Sequence, residues 1–249
     1  MTFDAATVAV IVATFFFGGS VKGLTGLGLP PIVLGILTAT IGIQPAKALI
    51  LIPTFLTNIA QACVGGHGRA LIARTWPFLL AATVLTASGA FTLRYFDAAV
   101  MSCLLGVVLL LYGATGLFQI RLRITDDWLH PAGVLFGATN GFLTGLTGSS
   151  AVPGVFYLQS IGLSRDELIQ GMGILFTLST IGLAWSLRMQ DLLSKELGAM
   201  SAVALIPALL GMSLGQRIRR RIPEASFRTV FYVALCLLGL YVALRNLPR

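Results

Sequence analysis

Lys22, Thr25, Gly26 and Gly28 are the first residues along the chain equipped to hold a ligand. They lie in Gly18-Gly19-Ser20-Val21-Lys22-Gly23-Leu24-Thr25-Gly26-Leu27-Gly28-Leu29-Pro30-Pro31, a stretch that interrupts an apolar run. An ammonium, a hydroxyl and backbone N–H groups all bind by donating, so together they suit an anion. A second stretch, Phe136-Gly137-Ala138-Thr139-Asn140-Gly141-Phe142-Leu143-Thr144-Gly145-Leu146-Thr147-Gly148-Ser149-Ser150, repeats the pattern. Phe17-Gly18 matches Phe136-Gly137, and Leu24-Thr25-Gly26-Leu27 matches Leu143-Thr144-Gly145-Leu146, both at a spacing of 119 residues. A repeat of that length is no solenoid unit. It is the size of half a transporter, whose two halves meet at discontinuous helices near the bilayer midplane.

A glycine-rich interruption inside a membrane is tolerated only where protein buries it or where it lines a wet cavity. After each interruption a new helix begins, and its free N–H groups and positive dipole end favour an anion. Pro30-Pro31 suits a first helical turn. Ser149 and Ser150 suit an N-cap or a hydroxyl contact. The candidate substrate-binding residues are Lys22, Thr25, Gly26 and Gly28 in the first stretch. In the second they are Asn140, Thr144, Gly145, Gly148, Ser149 and Ser150. Thr57 and Thr177 match at a spacing of 120, and Asn58 and Gln61 are the most polar residues well inside a first-half segment; all four join the set. Each has a plain structural alternative. The glycines can let helices pack closely, and the amides can hydrogen-bond between helices. The threonines can bond to their own helix backbone, and Lys22 can snorkel to an interface.

The elements that must position these residues follow from composition. The chain has 249 residues, 56% hydrophobic and 10% charged, and a mean hydropathy of +0.90. Soluble domains carry about 25% charged residues, so this is an integral, multi-pass membrane protein whose surroundings are the lipid bilayer. The net charge of +8 does not point to nucleic acid, because the basic residues lie in short loops, where they set orientation. Met1-Thr2-Phe3-Asp4 supplies no basic region ahead of the first apolar run, so no cleavable signal is expected. Ten apolar segments follow one another, at about 5–21, 29–41, 46–64, 75–93, 98–118, 131–146, 152–161, 168–187, 197–214 and 227–244. The second and seventh are short of the roughly 20 residues a spanning helix needs. They either cross separately or pair with the preceding segment as a re-entrant hairpin.

The expected architecture is all-α, with two repeats of about five segments and broken or re-entrant helices at the glycine-rich start of each. Residues 1–120 form the first repeat, 121–130 a connecting loop and 131–249 the second, within one membrane domain. However the short segments run, each half crosses an odd number of times, so the halves are inverted. Loops on one face hold Lys22, Arg69, Arg74, Arg121, Arg123, Arg165, Arg217, Arg219, Arg220, Arg221 and Arg228. The other face holds Lys47, Arg94, Arg188, Lys195, Arg245 and Arg249. The richer face is cytoplasmic by the positive-inside rule, which puts both termini outside.

Enzymatic readings find no support. Gly23-Leu24-Thr25-Gly26-Leu27-Gly28 has the glycine spacing of a dinucleotide loop without its sheet or its acid. Gly145-Leu146-Thr147-Gly148-Ser149 lacks the company of a nucleophile. Cys63, Cys103 and Cys236 have no metal or redox spacing. No catalytic residue, metal or cofactor is expected. Asp97, Asp166, Glu167, Asp191 and Glu224 all flank segments, so no intramembrane carboxylate relay is visible. An anion leaving a negatively polarised cell needs none, since the potential supplies about 2.3 kcal/mol per charge per 100 mV. The glycines Gly106, Gly113 and Gly116 suit intramolecular packing or a homodimer equally.

The chain resembles the sulfite exporter TauE/SafE family along nearly its whole length. The resemblance rests on the duplicated motif, Gly19…Gly23…Gly26-Leu27-Gly28 with Pro31 and Gly137…Gly141…Gly145…Gly148 with Pro153. Leu29-Pro30 and Ser149-Ser150 stand where family members usually carry a glycine pair or triplet. The resemblance implies a permease of the cytoplasmic membrane that moves a small sulfur-containing anion such as sulfite, sulfoacetate or another organosulfonate, usually outward. The alternative within transport is a proton- or cation-coupled permease of another small organic solute.

Overall fold

The computed structural model describes residues 4–119, 122–219 and 224–247. Among them the chain forms helices and no strand. In order these are α1 (Ala5–Thr25), α2 (Leu29–Ile41), α3 (Ile43–Leu49), α4 (Leu51–Cys63), α5 (Gly68–Phe91) and α6 (Ala98–Leu117). Then come α7 (Leu129–Thr147), α8 (Gly154–Ser160), α9 (Arg165–Met189), α10 (Lys195–Arg219) and α11 (Glu224–Arg245), with short 3₁₀ turns at Thr92–Tyr95 and Asp126–Trp128. Lipid offers no partner to a backbone N–H or C=O, so an apolar chain satisfies them within helices. Local signals set the ends. The Asp4 carboxylate accepts from the Thr7 N–H at 3.0 Å and starts α1, and Ser164 with Glu167 forms a capping box at α9.

Among the described residues five helices, α1, α5, α6, α9 and α10, are long and apolar enough to cross a membrane. The pair α3 and α4, bent by 44° between Leu49 and Leu51, makes a sixth span if counted as one. Ser201 of α10 closes that bend: its hydroxyl donates to the Leu49 carbonyl at 2.8 Å and accepts from the Ile52 N–H at 3.2 Å. Large apolar side chains such as Trp76, Leu80, Leu135, Trp185, Ile206, Leu210 and Leu237 face outward, as lipid-facing positions must.

The helices gather into two compact units. Unit 1 comprises Met1–Pro53, Asp97–Gln119 and Asp191–Arg249; unit 2 comprises Thr54–Phe96 and Ile120–Gln190. Each unit thus draws helices from both halves of the sequence. In unit 1, α1 lies on α10 with glycines at the crossing. A Cβ on Gly19 would meet the Ala208 carbonyl, one on Gly23 the Met212 carbonyl, and one on Gly211 or Gly215 the carbonyls of Phe16 or Ser20. Residue numbers rise together along both helices, so the pair is parallel. Helices α6 and α11 pack antiparallel in the same unit, with Gly106 against Gly239 and Ala243 and Gly113 and Gly116 against Tyr232. The glycine face of α6 is therefore used inside the chain.

Unit 2 repeats the parallel arrangement with α7 on α5. Gly137, Gly141 and Gly145 face the carbonyls of Phe78, Ala82 and Thr86, and Gly89 faces that of Phe142. Phe78 also stacks on Tyr157 of α8 with ring centroids 4.4 Å apart. Small residues let helix backbones approach where lipid supplies no hydrophobic drive for association.

Two of the charges assigned to loops from sequence are corrected. Lys22 sits in the last turn of α1 and Lys47 within α3, both buried. Neither counts toward orientation, because the helices extend past the ends that hydropathy suggests. Arg121, Arg220, Arg221 and Arg249 lie outside the described residues, as do the side chains of Arg94, Arg219 and Arg228 and the leading Met1-Thr2-Phe3.

Candidate functional site

In unit 1 the site is built on the link from α1 to α2. Gly26 ends α1 in the left-handed region (φ 79°) and donates to the Lys22 carbonyl at 2.7 Å, a conformation that glycine adopts without a Cβ penalty. The Thr25 hydroxyl donates to the carbonyls of Val21 at 3.0 Å and Leu27 at 2.8 Å, and accepts from the Leu27 N–H at 3.1 Å. Gly28 (φ 105°) precedes α2, and a side chain there would strike Val21 and Phe231. Leu29, Pro30 and Pro31 then fill the first turn of α2. Two of the three carry no N–H, as Pro30-Pro31 in a first helical turn implies. The donor with charge is Lys22, 3% exposed in the turn just before the link.

Unit 2 holds the corresponding link from α7 to α8. Gly148 (φ 82°) donates to the Thr144 carbonyl at 2.6 Å. The Thr147 hydroxyl donates to the Leu143 carbonyl at 2.7 Å and accepts from the Ser149 N–H at 3.2 Å. Gly148 and Thr147 thus do what Gly26 and Thr25 do, at a spacing of 122 rather than 119. Gly141 and Gly145 likewise fall where Gly19 and Gly23 fall on the partner helix. A slip of three residues is close to one helical turn of 3.6, so identical letters matched on nearly the same face. In the structural register the counterpart of Lys22 is Thr144, not a cation.

Thr144, buried, directs its hydroxyl to the Asn140 carbonyl at 2.6 Å, the Ser149 carbonyl at 3.3 Å and the Ser150 Oγ at 3.2 Å. Ser149 and Ser150 do not cap α8, which begins at Gly154 after the cis Val152–Pro153 bond; they belong to the link. The Asn140 side chain takes the capping role instead, its Oδ1 accepting from the Gly154 N–H at 2.9 Å. Gly145 packs against α5.

Of the remaining candidates, Thr57, Asn58 and Gln61 are buried in α4 and Thr177 is half-buried in α9, all in unit 2. The Gln61 amide donates to the Ile169 carbonyl at 2.8 Å, and Thr177 donates to the Gly173 carbonyl at 2.7 Å. Gln170, which sequence reading passed over, answers Gln61. Its amide donates to the Ala62 carbonyl at 2.8 Å and accepts from the His67 N–H at 2.9 Å. Two glutamines thereby tie α4 to α9. Sequence reading also missed Lys47, fully buried in unit 1, because Gln44-Pro45 beside it reads as a loop. Lys22 and Lys47 are the only buried charged side chains among the described residues, and no carboxylate there is buried. No cluster of three or more potential metal ligands occurs among the described residues. Unit 1 therefore holds two buried lysines, and unit 2 holds a set of buried hydroxyl and amide groups.

Compared with known proteins, residues 11–242 match the family model described as sulfite exporter TauE/SafE. No curated protein and no solved structure matches the chain.

Proposed function

Because this chain belongs to the sulfite exporter TauE/SafE family, whose members are membrane transporters, we propose that it exports small sulfur-containing anions across the cytoplasmic membrane. Sulfite, sulfoacetate and other organosulfonates are the substrate class. The observation that carries this reading is the family match across nearly the whole chain. The buried charge agrees with it, since an intramembrane cation is costly and marks a functional position. Lys22 supplies the attraction in unit 1, since an ammonium binds an acceptor-only substrate by donating.

The two halves are inverted repeats. What supports this is that α6 and α11, the last helices of the two halves, pack antiparallel. The first helix of each half also pairs in parallel with the last but one of the other, α1 with α10 and α7 with α5. Both termini lie outside.

Binding by the purified full-length chain tests the substrate class. A ligand that binds only the folded state raises the melting temperature by mass action. Sulfite, sulfoacetate, sulfolactate or thiosulfate should stabilise the protein, and carboxylate counterparts should do so less. Stabilisation by amines or neutral solutes alone would overturn the substrate class and favour the coupled permease of an organic solute.

Energetics have a separate test. In proteoliposomes loaded with the stabilising anion, efflux should follow an imposed potential and ignore a pH gradient at clamped voltage. The potential contributes about 2.3 kcal/mol per charge per 100 mV, and no buried carboxylate occurs among the described residues to relay protons. Efflux that requires the pH gradient would sink the potential-driven mechanism.

A further inference from the structure

We propose that Asn140, Ser149 and Ser179 form a three-donor subsite for the oxygens of a sulfonate, at the junction of α7, α8 and α9 within unit 2. Asn140 and Thr144 are one turn apart on α7 and share a face. The bonds from Thr144 to the Ser149 carbonyl and the Ser150 hydroxyl fold the link back over that face. Asn140 reaches the first residue of α8 through the Gly154 N–H. A Cβ on Gly154 would lie 2.6 Å from Asn140 Oδ1 and 2.8 Å from Leu175 Cδ2 of α9, so the three helices meet there. Leu175 and Ser179 are again one turn apart.

Asn140 and Ser149 are fully buried and Ser179 is 1% exposed. Asn140 Nδ2, Ser149 Oγ and Ser179 Oγ have no hydrogen-bond partner among the described residues. The direction of the Asn140 amide is fixed, because a backbone N–H can only donate. Oδ1 must face Gly154, which turns Nδ2 away as a donor. Buried polar groups are nearly always satisfied, and three orphans at one helix junction mark a place where a ligand completes them. A sulfonate presents three acceptor oxygens on a tetrahedral centre; a carboxylate presents two in a plane and satisfies fewer. The α9 contact moves from Thr177, whose hydroxyl is occupied by its own helix, to Ser179 two residues on.

This subsite rests on the anion-transport reading, and the test separates the two. The full chain and the variants Ser149→Ala, Ser179→Ala and Thr177→Ala are titrated with sulfoacetate and with malonate, following thermal stabilisation. A hydrogen bond to a charged group is strong enough to change affinity about tenfold or more. Ser149→Ala and Ser179→Ala should therefore each raise the apparent Kd for sulfoacetate about tenfold, move malonate less, and leave the ligand-free melting temperature unchanged or higher. Thr177→Ala should move neither ligand. A wild-type protein that binds sulfoacetate alongside unchanged Ser179→Ala and Ser149→Ala, or equal losses for both ligands, overturns the subsite and spares the transporter reading. A wild-type protein that binds neither overturns both.

Discussion

Gly141→Leu is expected to yield no folded protein. The Cβ position of Gly141 points at the Ala82 carbonyl and the Thr86 N–H of α5, within collision distance of both. These are backbone atoms of a helix, which cannot rotate aside as a side chain can. A leucine must push α7 off α5 along the length of the pair, and Gly137, Gly145 and Gly89 lose their contacts with it. Overpacking a core with flexible neighbours costs about 1–3 kcal/mol, and a rigid backbone raises that toward the about 5–15 kcal/mol by which whole proteins are stable. Gly198→Leu is the matched control, since nothing lies within 4 Å of a Cβ at that helical glycine of α10. Monodisperse yield in detergent and melting temperature should collapse for the first variant and hold for the second. Equal yields would show that α5 and α7 do not pack through glycine. Gly145→Leu should fail in the same way, so its loss of transport would report packing rather than ligand contact.

Lys22→Met should separate function from stability in the opposite sense. The side chain is buried in the last turn of α1, beside the link that Gly26 and Gly28 shape. Methionine keeps the length of the side chain and leaves the glycine contacts of α1 with α10 in place, so the variant should insert and fold. Anion binding should fall by about tenfold to a hundredfold, the worth of about 1.5–3 kcal/mol for a hydrogen bond to a charged group. Lys22→Arg should recover part of it, because charge returns while the compact ammonium does not. An unchanged concentration dependence in Lys22→Met would make the lysine a snorkelling residue. A collapsed melting temperature would make it a structural one.

The two variants probe different levels of information. Some helix bounds were readable from the chain, whereas the segment at about 46–64 is two helices, α3 and α4, and α5 starts at Gly68 rather than 75. Residues 29–41 were read as an apolar segment and form α2 with the same bounds. The segment at about 98–118 differs from α6 by one residue. In an apolar surrounding the backbone must bond within its own helix, so hydropathy, glycine and proline decide the outcome locally. The family was legible because its motif is a string of glycines along α1 and α7 and at their ends, and glycine spacing can be read without knowing what packs against it.

Which groups remain available to a ligand was not legible. Thr25 and Thr144 share a letter and a neighbour in sequence, yet Thr25 is matched in role by Thr147. Helical periodicity tolerates a three-residue slip, and only the left-handed glycine at the true helix end fixes the register. Nothing local distinguishes the half-buried candidate Thr177 from the buried Ser179, or marks Lys47 for burial, because burial depends on helices distant in the chain. The sequence by itself determined the membrane setting, the helices and the family, through solvent and short-range hydrogen bonding. Tertiary structure alone decided that Gly141 and Gly145 serve packing, that Asn140 caps α8 and that Ser149 and Ser179 keep unspent donors, since each of these depends on which backbone lies opposite.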